Sequence, residues 1–546
     1  MQQTISLKLL PSEAAEQYII SRYIALSSGK RMAEITGFYI LKKSIDARGR
    51  QPLVNLTVQV FFNEPFIERK VEFITFSDIS KANYKVIIVG AGPAGLFAAL
   101  KLIEQGIKPI ILERGKDVRA RRRDLAILNK GGVINPESNY CFGEGGAGTY
   151  SDGKLYTRSN KRGDINRILN LFVQFGAQEQ ILYESHPHIG TNKLPGIITA
   201  MRKQIEECGG QIHFGKKVVD FKIKSETIKG VETSDGDVYD ADAVILATGH
   251  SARDIFYLLH HKNVLIEAKP FALGVRVEHP QSIIDSIQYH CPISTSTLNN
   301  GRSEHLPPAS YSLVHQVNGK GVFSFCMCPG GIIASAATNV NELVVNGWSP
   351  SKRNNPFANS GMVVSVEEID LLKDKHYINY LKNNNYKEGT ALRMMYFQEM
   401  VEKNAFSAGG GKLVAPAQRM LDFCKNAVSS SLPSCSYIPG INSCDMRSIL
   451  PSFIYERLQE GFKVFGKKMH GYYTNEALVV ATESRTSSPV RIPRNKDTLQ
   501  HPQISNLYPC GEGAGYAGGI VSAAMDGEKV ANSIALVFNQ TIKTSS

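Results

Sequence analysis

Apolar positions follow two different periods along the first 80 residues of the chain. They alternate with polar positions in segments 5–11, 34–48 and 52–62, which is typical of strands with one buried face. Between the first two of these, segment 13–26 carries apolar residues at helical spacing. The pattern predicts a strand, a helix and two strands, and hence a small α+β domain over residues 1–80.

The pattern changes near residue 84, where continuous apolar segments replace the alternation. Residues 85–90 read KVIIVG, residues 91–106 read as a helix of small and apolar residues, and residues 108–113 read KPIILE. Unbroken apolar strands are typical of a parallel sheet that is buried on both faces, so this part predicts a β-α-β unit. Residues 275–485 are less regular, and residues 502–538 again read as strand, glycine loop and helix.

A glycine motif opens the predicted helix of the β-α-β unit. Gly90, Gly92 and Gly95, with Pro93 and Ala94 among them, form GxGxxG directly after a strand. The first glycine permits a tight turn, the second lets the backbone approach a pyrophosphate, and the third lets helix and strand pack closely. The N-terminus of the helix adds free N–H groups and the positive end of its dipole. The motif therefore predicts a dinucleotide site.

The end of the second strand narrows the choice of dinucleotide. Glu113 ends this strand, and Arg114, which we include among the predicted cofactor-binding residues, follows it. An acidic residue at this place accepts hydrogen bonds from both ribose hydroxyls and disfavours a 2′-phosphate. The site therefore suits FAD or NAD rather than NADP.

Composition and charge exclude several classes of protein. Of the 546 residues, 42% are hydrophobic and 21% are charged, which excludes wholesale disorder. The nine cysteines form no CxxC or CxxxxC, which argues against a zinc ribbon and a disulfide-reductase pair, and we predict no metal site.

The net charge of +12 is most concentrated in residues 116–123. These residues either form a solvated helix face or help to bind an anionic ligand. The first residues lack the pattern of a signal peptide, so we expect a cytoplasmic protein.

Two later segments favour FAD over NAD. Residues 233–249 read as a turn, a strand and the tripeptide Ala247-Thr248-Gly249, and residues 504–534 read as a strand, a glycine loop and a helix. Together with GxGxxG and Glu113, these segments resemble the glutathione-reductase-type FAD superfamily, which implies that the tripeptide belongs to the FAD site.

The same resemblance assigns roles to the last segment. It implies that Gly511 and an acid after it contact the ribityl chain of FAD. It also implies that Gly518, Gly519 and Ile520 at the next helix start lie nearest the isoalloxazine ring. The acid here is Glu512, which is one methylene longer than the aspartate of that superfamily. A positive helix end at this place stabilises negative charge on the flavin and makes the flavin easier to reduce.

The resemblance extends along almost the whole chain to one bacterial family, the NAD(FAD)-utilizing or FAD-dependent dehydrogenases. It implies a flavoprotein fold and leaves the substrate open, and SIDARGR (44–50) resembles the small leading domain of that family. The segments that carry it are 142–158, 187–194, 247–254, 274–281, 323–331, 351–361, 408–419 and 483–494.

We therefore expect an α/β fold of three parts. A Rossmann-like FAD/NAD(P)-binding domain spans 84–270 and 490–546, an inserted mixed α+β cap spans 271–489, and a small ferredoxin-like α+β domain spans 1–80.

Residues 143–153 contain five glycines and form a loop that cannot pack a core by itself. Gly143, Gly145 and Gly146 allow close approach to a flat ligand, and Ser151 and Lys154 supply donors, so we predict contact with the flavin. A mobile surface lid is the alternative. Lys154 at the end of the loop would favour anionic reduced flavin or bind an acidic substrate.

Four side chains are weak candidates for catalysis. Besides Lys154, His188 is a candidate acid or base, and Arg485 is a candidate ligand of a carboxylate or phosphate. Arg276 either lines the substrate site or belongs, with Glu278, to an ion-paired face of a strand. A loop histidine without a catalytic role is the alternative for His188.

Cys326 and Cys328 form a CxC whose thiols would face the same side of a regular strand. A redox pair would close a small, strained ring, so buried packing is the favoured interpretation.

Three functions follow from these observations. The first is an FAD-dependent oxidoreductase that moves a hydride or electron pair between a small organic substrate and the flavin, with NAD(P)H as a candidate electron donor. No second GxGxxG directly follows a strand, so the sequence does not show where NAD(P)H binds. The weaker alternatives are a flavin-dependent RNA-modifying enzyme, motivated by the basic charge, and a flavin-bound sensor or scaffold without turnover. We predict no membrane partner.

Overall fold

The computed structural model describes residues 1–157, 163–293 and 302–545. Within these ranges no helix combines the length and the apolar character that a membrane crossing requires. The helices and strands form a mixed α/β fold in which one parallel sheet and one large mixed sheet dominate.

The N-terminal part is a three-stranded antiparallel sheet covered by one helix. Its elements are β1 (Gln2–Leu9), α1 (Gln17–Ser28), β2 (Ile35–Asp46) and β3 (Leu53–Phe62). The strand order is β1-β3-β2, and alternate residues of β3 are buried on one face, as the sequence pattern predicts. Ile20 and Ile24 of α1 belong to the same small core as those residues.

The second part begins at the GxGxxG and contains the parallel sheet. Its elements are β4 (Lys85–Val89), α2 (Pro93–Glu104), β5 (Lys108–Glu113), α3 (Val118–Gly131), α4 (Ile165–Gln174), α5 (Leu194–Glu207), β6 (Gln211–Phe214), β7 (Val218–Lys224), β8 (Thr227–Thr233), β9 (Val238–Asp240), β10 (Ala243–Leu246) and α6 (Arg253–His261). Strands β7, β8 and β9 form a separate antiparallel sheet.

The third part contains a seven-stranded mixed sheet, and the last residues return to the parallel sheet. The elements are β11 (Glu267–Ala268), β12 (Phe271–Pro280), α7 (Gln281–Tyr289), β13 (Val314–Val317), β14 (Lys320–Cys328), β15 (Ile332–Ser335), β16 (Val345–Trp348), β17 (Phe357–Val366), α8 (Glu368–Leu371), α9 (Lys375–Asn383), α10 (Arg393–Ala408), β18 (Ala415–Arg419), α11 (Met420–Cys424), β19 (Ile441–Ser443), α12 (Ser452–Lys468), β20 (Leu478–Glu483), β21 (Val490–Arg491), β22 (Leu507–Pro509) and α13 (Ile520–Ser545). The order of the mixed sheet is β13-β14-β17-β12-β20-β18-β19.

The order of the parallel sheet is β22-β10-β4-β5-β6, and this order places a ligand site. Chain connections leave β4 towards β5 on one side, while β10 and β22 lie on its other side. In open α/β sheets a crevice forms where the strand order reverses, outside the carboxyl ends of the strands. That crevice lies between the ends of β4 and β10, where GxGxxG and Ala247-Thr248-Gly249 begin.

Helices α2 and α13 pack closely beside the crevice. Both are rich in small residues, and a side chain at Gly527 of α13 would place its Cβ 2.1 Å from the carbonyl oxygen of Ala94 in α2. Small residues therefore allow the two backbones to approach closely at Gly527, which holds this part of α13 against the start of α2.

A buried ion network ties the mixed sheet to the dinucleotide unit. Glu402 of α10 is fully buried and pairs with Arg253 of α6 at 2.9 Å and with Arg485, which follows β20, at 3.0 Å. Glu342 pairs with the same two arginines, so two positive and two negative charges balance. Removing one partner of such a network leaves an uncompensated buried charge, which makes the relative position of the two parts costly to change.

Candidate functional site

The loops after β4 and β10 touch each other at the crevice. Gly90 has φ +107°, and a Cβ on it would lie 2.6 Å from the carbonyl oxygen of Ala247 and 3.3 Å from Cα of Thr248. A Cβ on Gly95 would lie 2.0 Å from the carbonyl oxygen of Gly90. These two glycines are therefore required by the protein itself, because any side chain would collide with backbone.

Other glycines of the motif segments face open space instead. A Cβ on Gly92 would meet nothing nearer than Cα of Gly146 at 3.9 Å, and one on Gly249, Gly518 or Gly519 would meet no described atom within 4 Å. Gly92 is also the N-cap of α2, and no side chain caps this helix end in the described chain. The first amides of α2 are therefore available to phosphate, and the donor set and the open glycines fit FAD.

Glu113 lies at the end of β5, beside the turn that follows β4, and is 5% exposed. Its carboxylate accepts N–H groups from Ala91 at 2.9 Å, Gly115 at 2.8 Å and Gly143 at 2.9 Å. Two carboxylate oxygens offer about four lone-pair sites, so one site is left for a ribose hydroxyl. The residue thus joins three glycine segments in addition to its predicted contact with ribose.

Arg114, in contrast, is engaged by protein. Its guanidinium donates to Glu137 at 2.7 Å and to Asp254 at 3.0 Å, and it lies 4.1 Å from the ring centre of Phe142. Burial alone would lower the pKa of Arg114, but the two carboxylates raise it. The structure therefore gives Arg114 a role in holding the loop near Phe142.

The glycine loop packs directly onto GxGxxG. The N–H of Gly145 donates to the carbonyl of Ala91 at 2.8 Å, and a Cβ on Gly146 would lie 3.0 Å from Cα of Gly92. Further along, a Cβ on Gly148 would lie 3.3 Å from Pro93 and 3.4 Å from Ile520. The loop therefore runs from the start of α2 to the start of α13, and the hydroxyl group of its Ser151 donates to the carbonyl of Gly148 at 2.8 Å.

Arg121 holds this loop and was missed by the sequence reasoning, which assigned the basic run 116–123 to a solvated face or an anionic ligand. Its fully buried guanidinium donates to the carbonyls of Asn139 at 2.8 Å, Glu144 at 2.8 Å and Tyr140 at 3.0 Å. A Cβ on Gly143 would lie 2.4 Å from Cδ of Arg121. The one sequence signal for the burial of Arg121 is its position one helical turn after Asp117, the N-cap of α3.

The loop after β22 is held by an aspartate that the sequence reasoning also missed. Asp526 accepts the N–H of Gly511 at 2.8 Å and pairs with Arg494 at 2.6 Å. Glu512, the predicted ribityl ligand, is partly exposed, and its Oε2 lies 3.5 Å from Nδ1 of His250. The carboxylate of Glu512 therefore stays accessible while Asp526 fixes the backbone that carries it.

Beyond the glycine loop lies a group of charged side chains that we call the polar chamber, made of Asp152, Lys154, His188 and Arg353. Asp152 is buried, and its Oδ2 lies 3.4 Å from Nζ of Lys154 and 3.1 Å from Arg353. Burial would raise the pKa of Asp152, but the two cations hold it well below its usual range. Burial would likewise lower the pKa of Lys154, whereas the neighbouring Cys328 and Asp152 raise it.

Two of the weak catalytic candidates meet in this chamber. The backbones of Lys154 and His188 form an antiparallel bridge. Nε2 of His188 lies 3.2 Å from the carbonyl oxygen of Ser351, which only accepts, so we assign the ring proton to Nε2 and the free lone pair to Nδ1. Burial and the charge of Arg353 lower the pKa of His188 to about 4, which keeps it neutral at pH 7.

Arg276 adjoins the same chamber but is not free to bind substrate. It is fully buried and donates to Glu483 at 2.9 Å, Asn359 at 2.8 Å and the carbonyl of Cys326 at 2.7 Å. The ion-paired alternative therefore holds for Arg276, although its partner is Glu483 of the neighbouring strand. Glu278, the partner that the sequence suggested, is bonded to Ser436 instead.

The remaining candidate, Arg485, lies in the buried ion network with Glu342 and Glu402 and also donates to Thr338 at 2.6 Å. The carboxylates of Glu342 and Glu402 balance the charge of Arg485, so its guanidinium is not available to a substrate. Sequence could not indicate this, because the partners lie more than 80 positions away along the chain.

Comparison with known protein families agrees with this geometry. Residues 84–253 match the family described as pyridine nucleotide-disulphide oxidoreductase, and residues 270–486 match the family described as FAD-dependent protein, C-terminal domain-like. Residues 1–61 match a domain of unknown function.

Among individual proteins, an uncharacterized protein of Clostridium beijerinckii is 38% identical over 95% of this chain and 96% of its own length. Protein FixC of Salmonella typhi is 28% identical over 38% of this chain and 46% of its own length, so the match spans less than half of FixC. The crystal structure of CtdE in complex with FAD matches 83% of this chain and 84% of its own, with 10% identity and a TM-score of 0.30. The cofactor is FAD, and the chain belongs with the clostridial protein to one family of FAD-dependent oxidoreductases.

Proposed function

We propose that this protein transfers a hydride or an electron pair between a small, acidic organic substrate and FAD held in the crevice between β4 and β10. The observation that carries the proposal is the glycine loop, which starts against Gly92, passes Ile520 and ends at Lys154 in the polar chamber. One loop thus connects the cradle for the cofactor with a group of charged side chains that is suited to a substrate.

The charges of the polar chamber indicate the class of substrate. Lys154 and Arg353 carry two positive charges, Asp152 carries one negative charge, and His188 is neutral at pH 7. The chamber therefore has one positive charge in excess, and a substrate carboxylate would balance it. The side chain of Lys154 is 34% exposed, and we propose that its ammonium group binds such a ligand.

Bound FAD supplies the hydride or electron-pair chemistry. Lys154 binds and orients the substrate anion, and Arg353 holds Asp152 in place beside it. Nδ1 of His188 is placed to accept the proton that leaves the substrate, because Nε2 carries the ring proton towards Ser351. The start of α13 would stabilise negative charge on the reduced cofactor through the positive end of the helix dipole.

We further propose that the family subtype is a dehydrogenase of the glutathione-reductase type, in which residues 271–489 act as a cap that selects the substrate. The match of residues 84–253 to a pyridine nucleotide family supports NADH or NADPH as an electron donor. Within the described residues, the GxGxxG at 90–95 is the one that directly follows a strand of the parallel sheet, so the donor would bind transiently beside the flavin.

The test is anaerobic reduction of the bound flavin. Wild-type holoprotein is mixed with NADH, NADPH and a panel of small organic acids, and the bleaching of the flavin absorbance is followed. We expect one organic acid to bleach the flavin and Lys154→Met to raise the concentration needed by about tenfold or more, because a charge-assisted contact is lost.

Lys203→Met is the matched control, because Lys203 is exposed on α5. It should leave the response of the flavin unchanged. If no donor bleaches the flavin of wild-type protein, the proposal is wrong and a sensor or scaffold is the better description. If Lys154→Met and Lys203→Met respond alike, the polar chamber is not the substrate site.

A further inference from the structure

The N-terminal sheet has two edge strands, and the described contacts cover the edge formed by β2. There the N–H of Lys43 donates to the carbonyl of Tyr183 at 2.8 Å, and its carbonyl accepts the N–H of Ser185 at 3.0 Å. The guanidinium of Arg69 donates to the carbonyl of Ile40 on the same edge. Strand β2 also has two bulges against β3. Covering contacts and bulges are usual means by which proteins keep an edge strand from pairing with another chain.

Strand β1 forms the other edge and has none of these features. It pairs with β3 in unbroken register from Gln2 to Leu9. It contains no proline and one charged residue, Lys8. Within the described chain, no backbone group of a loop or helix bonds to its outer side. A long, regular and bare edge strand is a template for pairing with a further strand.

The hydrogen-bond pattern shows which backbone groups lie on this bare edge. Met1 and Phe62 exchange two hydrogen bonds of 2.9 Å, one in each direction, so they form a hydrogen-bonded pair. Such pairs alternate along antiparallel strands, so positions 3, 5, 7 and 9 of β1 also bond to β3. The bare edge therefore presents the N–H and C=O groups of Gln2, Thr4, Ser6 and Lys8. Among the described residues, none bonds to these backbone groups.

The side chains of β1 are arranged for a sheet that continues beyond this edge. Ile5 and Leu7 are buried in the core that α1 covers, on one face of the strand. Thr4 and Ser6 are exposed on the opposite face. A strand added beside β1 would therefore extend an apolar face and a polar face that are already present.

We propose that β1 pairs with β1 of a second copy of this chain, antiparallel about a two-fold axis, so that two three-stranded sheets join into one sheet of six strands. The axis lies between Ile5 and Ile5 of the second copy. This register places Thr4 opposite Ser6 of the second copy and Gln2 opposite Lys8 of the second copy. Each outward N–H group then meets a C=O group of the other strand. The proposal depends neither on FAD nor on the organic substrate.

Two features favour a second copy in this register. Lys8 lies opposite the neutral Gln2, so no like charges face each other, and Ile5 meets Ile5 of the second copy on the apolar face. Moving the axis to Ser6 would instead place Gln2 opposite Leu10. The N–H and C=O groups of Leu10 are already bonded within its own chain. The axis at Ile5 is therefore the one that satisfies all the outward groups of β1.

The experiment measures the mass of purified holoprotein in solution by sedimentation equilibrium at micromolar concentration. Wild type should have twice the mass of one chain, which is 60.1 kDa. A like-charge variant, Thr4→Lys with Ser6→Lys, places two positive charges directly opposite each other, so it should have the mass of one chain. An opposite-charge variant, Thr4→Glu with Ser6→Lys, should again have twice that mass.

The matched control is Asn383→Lys with Asn475→Lys, which adds the same charge at two exposed positions outside the N-terminal sheet. It should keep the mass of wild type. The side chains of Thr4 and Ser6 are exposed, so their variants change no core contact, and thermal unfolding verifies that they fold. If the opposite-charge variant has the mass of one chain, the register about Ile5 is wrong.

Amide hydrogen exchange tests the strand pairing itself. A peptide that covers residues 1–10 should exchange more slowly in wild type than in the like-charge variant, because the outward amides of β1 are bonded in the dimer alone. Three results would each overturn the proposal: a wild type with the mass of one chain, a like-charge variant that keeps twice that mass, or equal exchange of this peptide in both proteins.

Discussion

Gly92 offers a substitution that separates cofactor binding from folding. Its backbone is extended with φ −76°, a conformation that alanine adopts without strain, and the nearest described atom to a new Cβ would be 3.9 Å away. Gly92→Ala should therefore leave thermal stability unchanged. The same Cβ would project into the space where the first amides of α2 meet the pyrophosphate of FAD.

The loss of affinity can be worked from those amides. Displacing the pyrophosphate costs about two charge-assisted hydrogen bonds of about 1.5–3 kcal/mol each. A total of about 3–6 kcal/mol weakens FAD binding by about a hundredfold to ten-thousandfold. The assay is titration of apoprotein with FAD, followed by quenching of flavin fluorescence, together with thermal unfolding of the apoprotein.

The matched control is Gly196→Ala, because Gly196 lies in α5 and a Cβ there would meet no described atom within 4 Å. It should keep FAD affinity and stabilise the protein by about 0.5–1 kcal/mol, as expected for glycine to alanine in a helix. If Gly92→Ala binds FAD as tightly as wild type, the pyrophosphate does not lie at α2. If it unfolds the apoprotein, the space beside Gly92 is not open.

Three further predictions concern buried groups. Arg121→Leu removes a donor from the carbonyls of Asn139 and Tyr140, just before the glycine loop, and one of the two donors of the Glu144 carbonyl, so urea unfolding should show a loss of at least about 3 kcal/mol and FAD content should fall; wild-type stability would contradict this. Glu402→Gln breaks the balanced ion network and should lower the free energy of unfolding by about 3–5 kcal/mol in the same assay. An unchanged urea midpoint would show that the network does not contribute to stability. Burial lowers the pKa of His279 to about 4 against about 6.5 when unfolded, so the free energy of unfolding should fall by about 3 kcal/mol as the pH falls through this window. His279→Gln should flatten that slope, and an equal slope in both proteins would assign it to other groups.

The sequence predicts those parts of the structure that depend on neighbouring residues. KVIIVG and KPIILE become adjacent parallel strands, and GxGxxG opens α2, because apolar runs and glycine turns act over a few positions. The tripeptide 247–249 meets the motif because carboxyl ends of parallel strands share one edge of a sheet. The role of each predicted FAD ligand stays a prediction.

Side chains whose partners are distant could not be predicted in this way. Arg276 and Arg485 carry charges that a sequence equally allows to face a ligand or a carboxylate, and the pairing of β12 with β20 decides between them. The burial of Arg121 could not be read from the basic run 116–123, since charge alone does not show that three backbone carbonyls accept from its guanidinium. Strand β14 has a bulge at Cys326, where it advances three residues while β17 advances two. This bulge depends on the register between the two strands, which the local sequence pattern does not specify.

A crystal structure of the FAD-bound protein tests the central claim most directly. The account predicts the pyrophosphate at the N-terminus of α2, with the isoalloxazine ring beside Gly518 and Gly519 and facing the polar chamber. The structure also has an open cavity of about 480 Å³ beside α5, with Asp117, Arg119 and Arg202 among its lining residues. FAD bound in that cavity, with the crevice between β4 and β10 empty, would contradict the account.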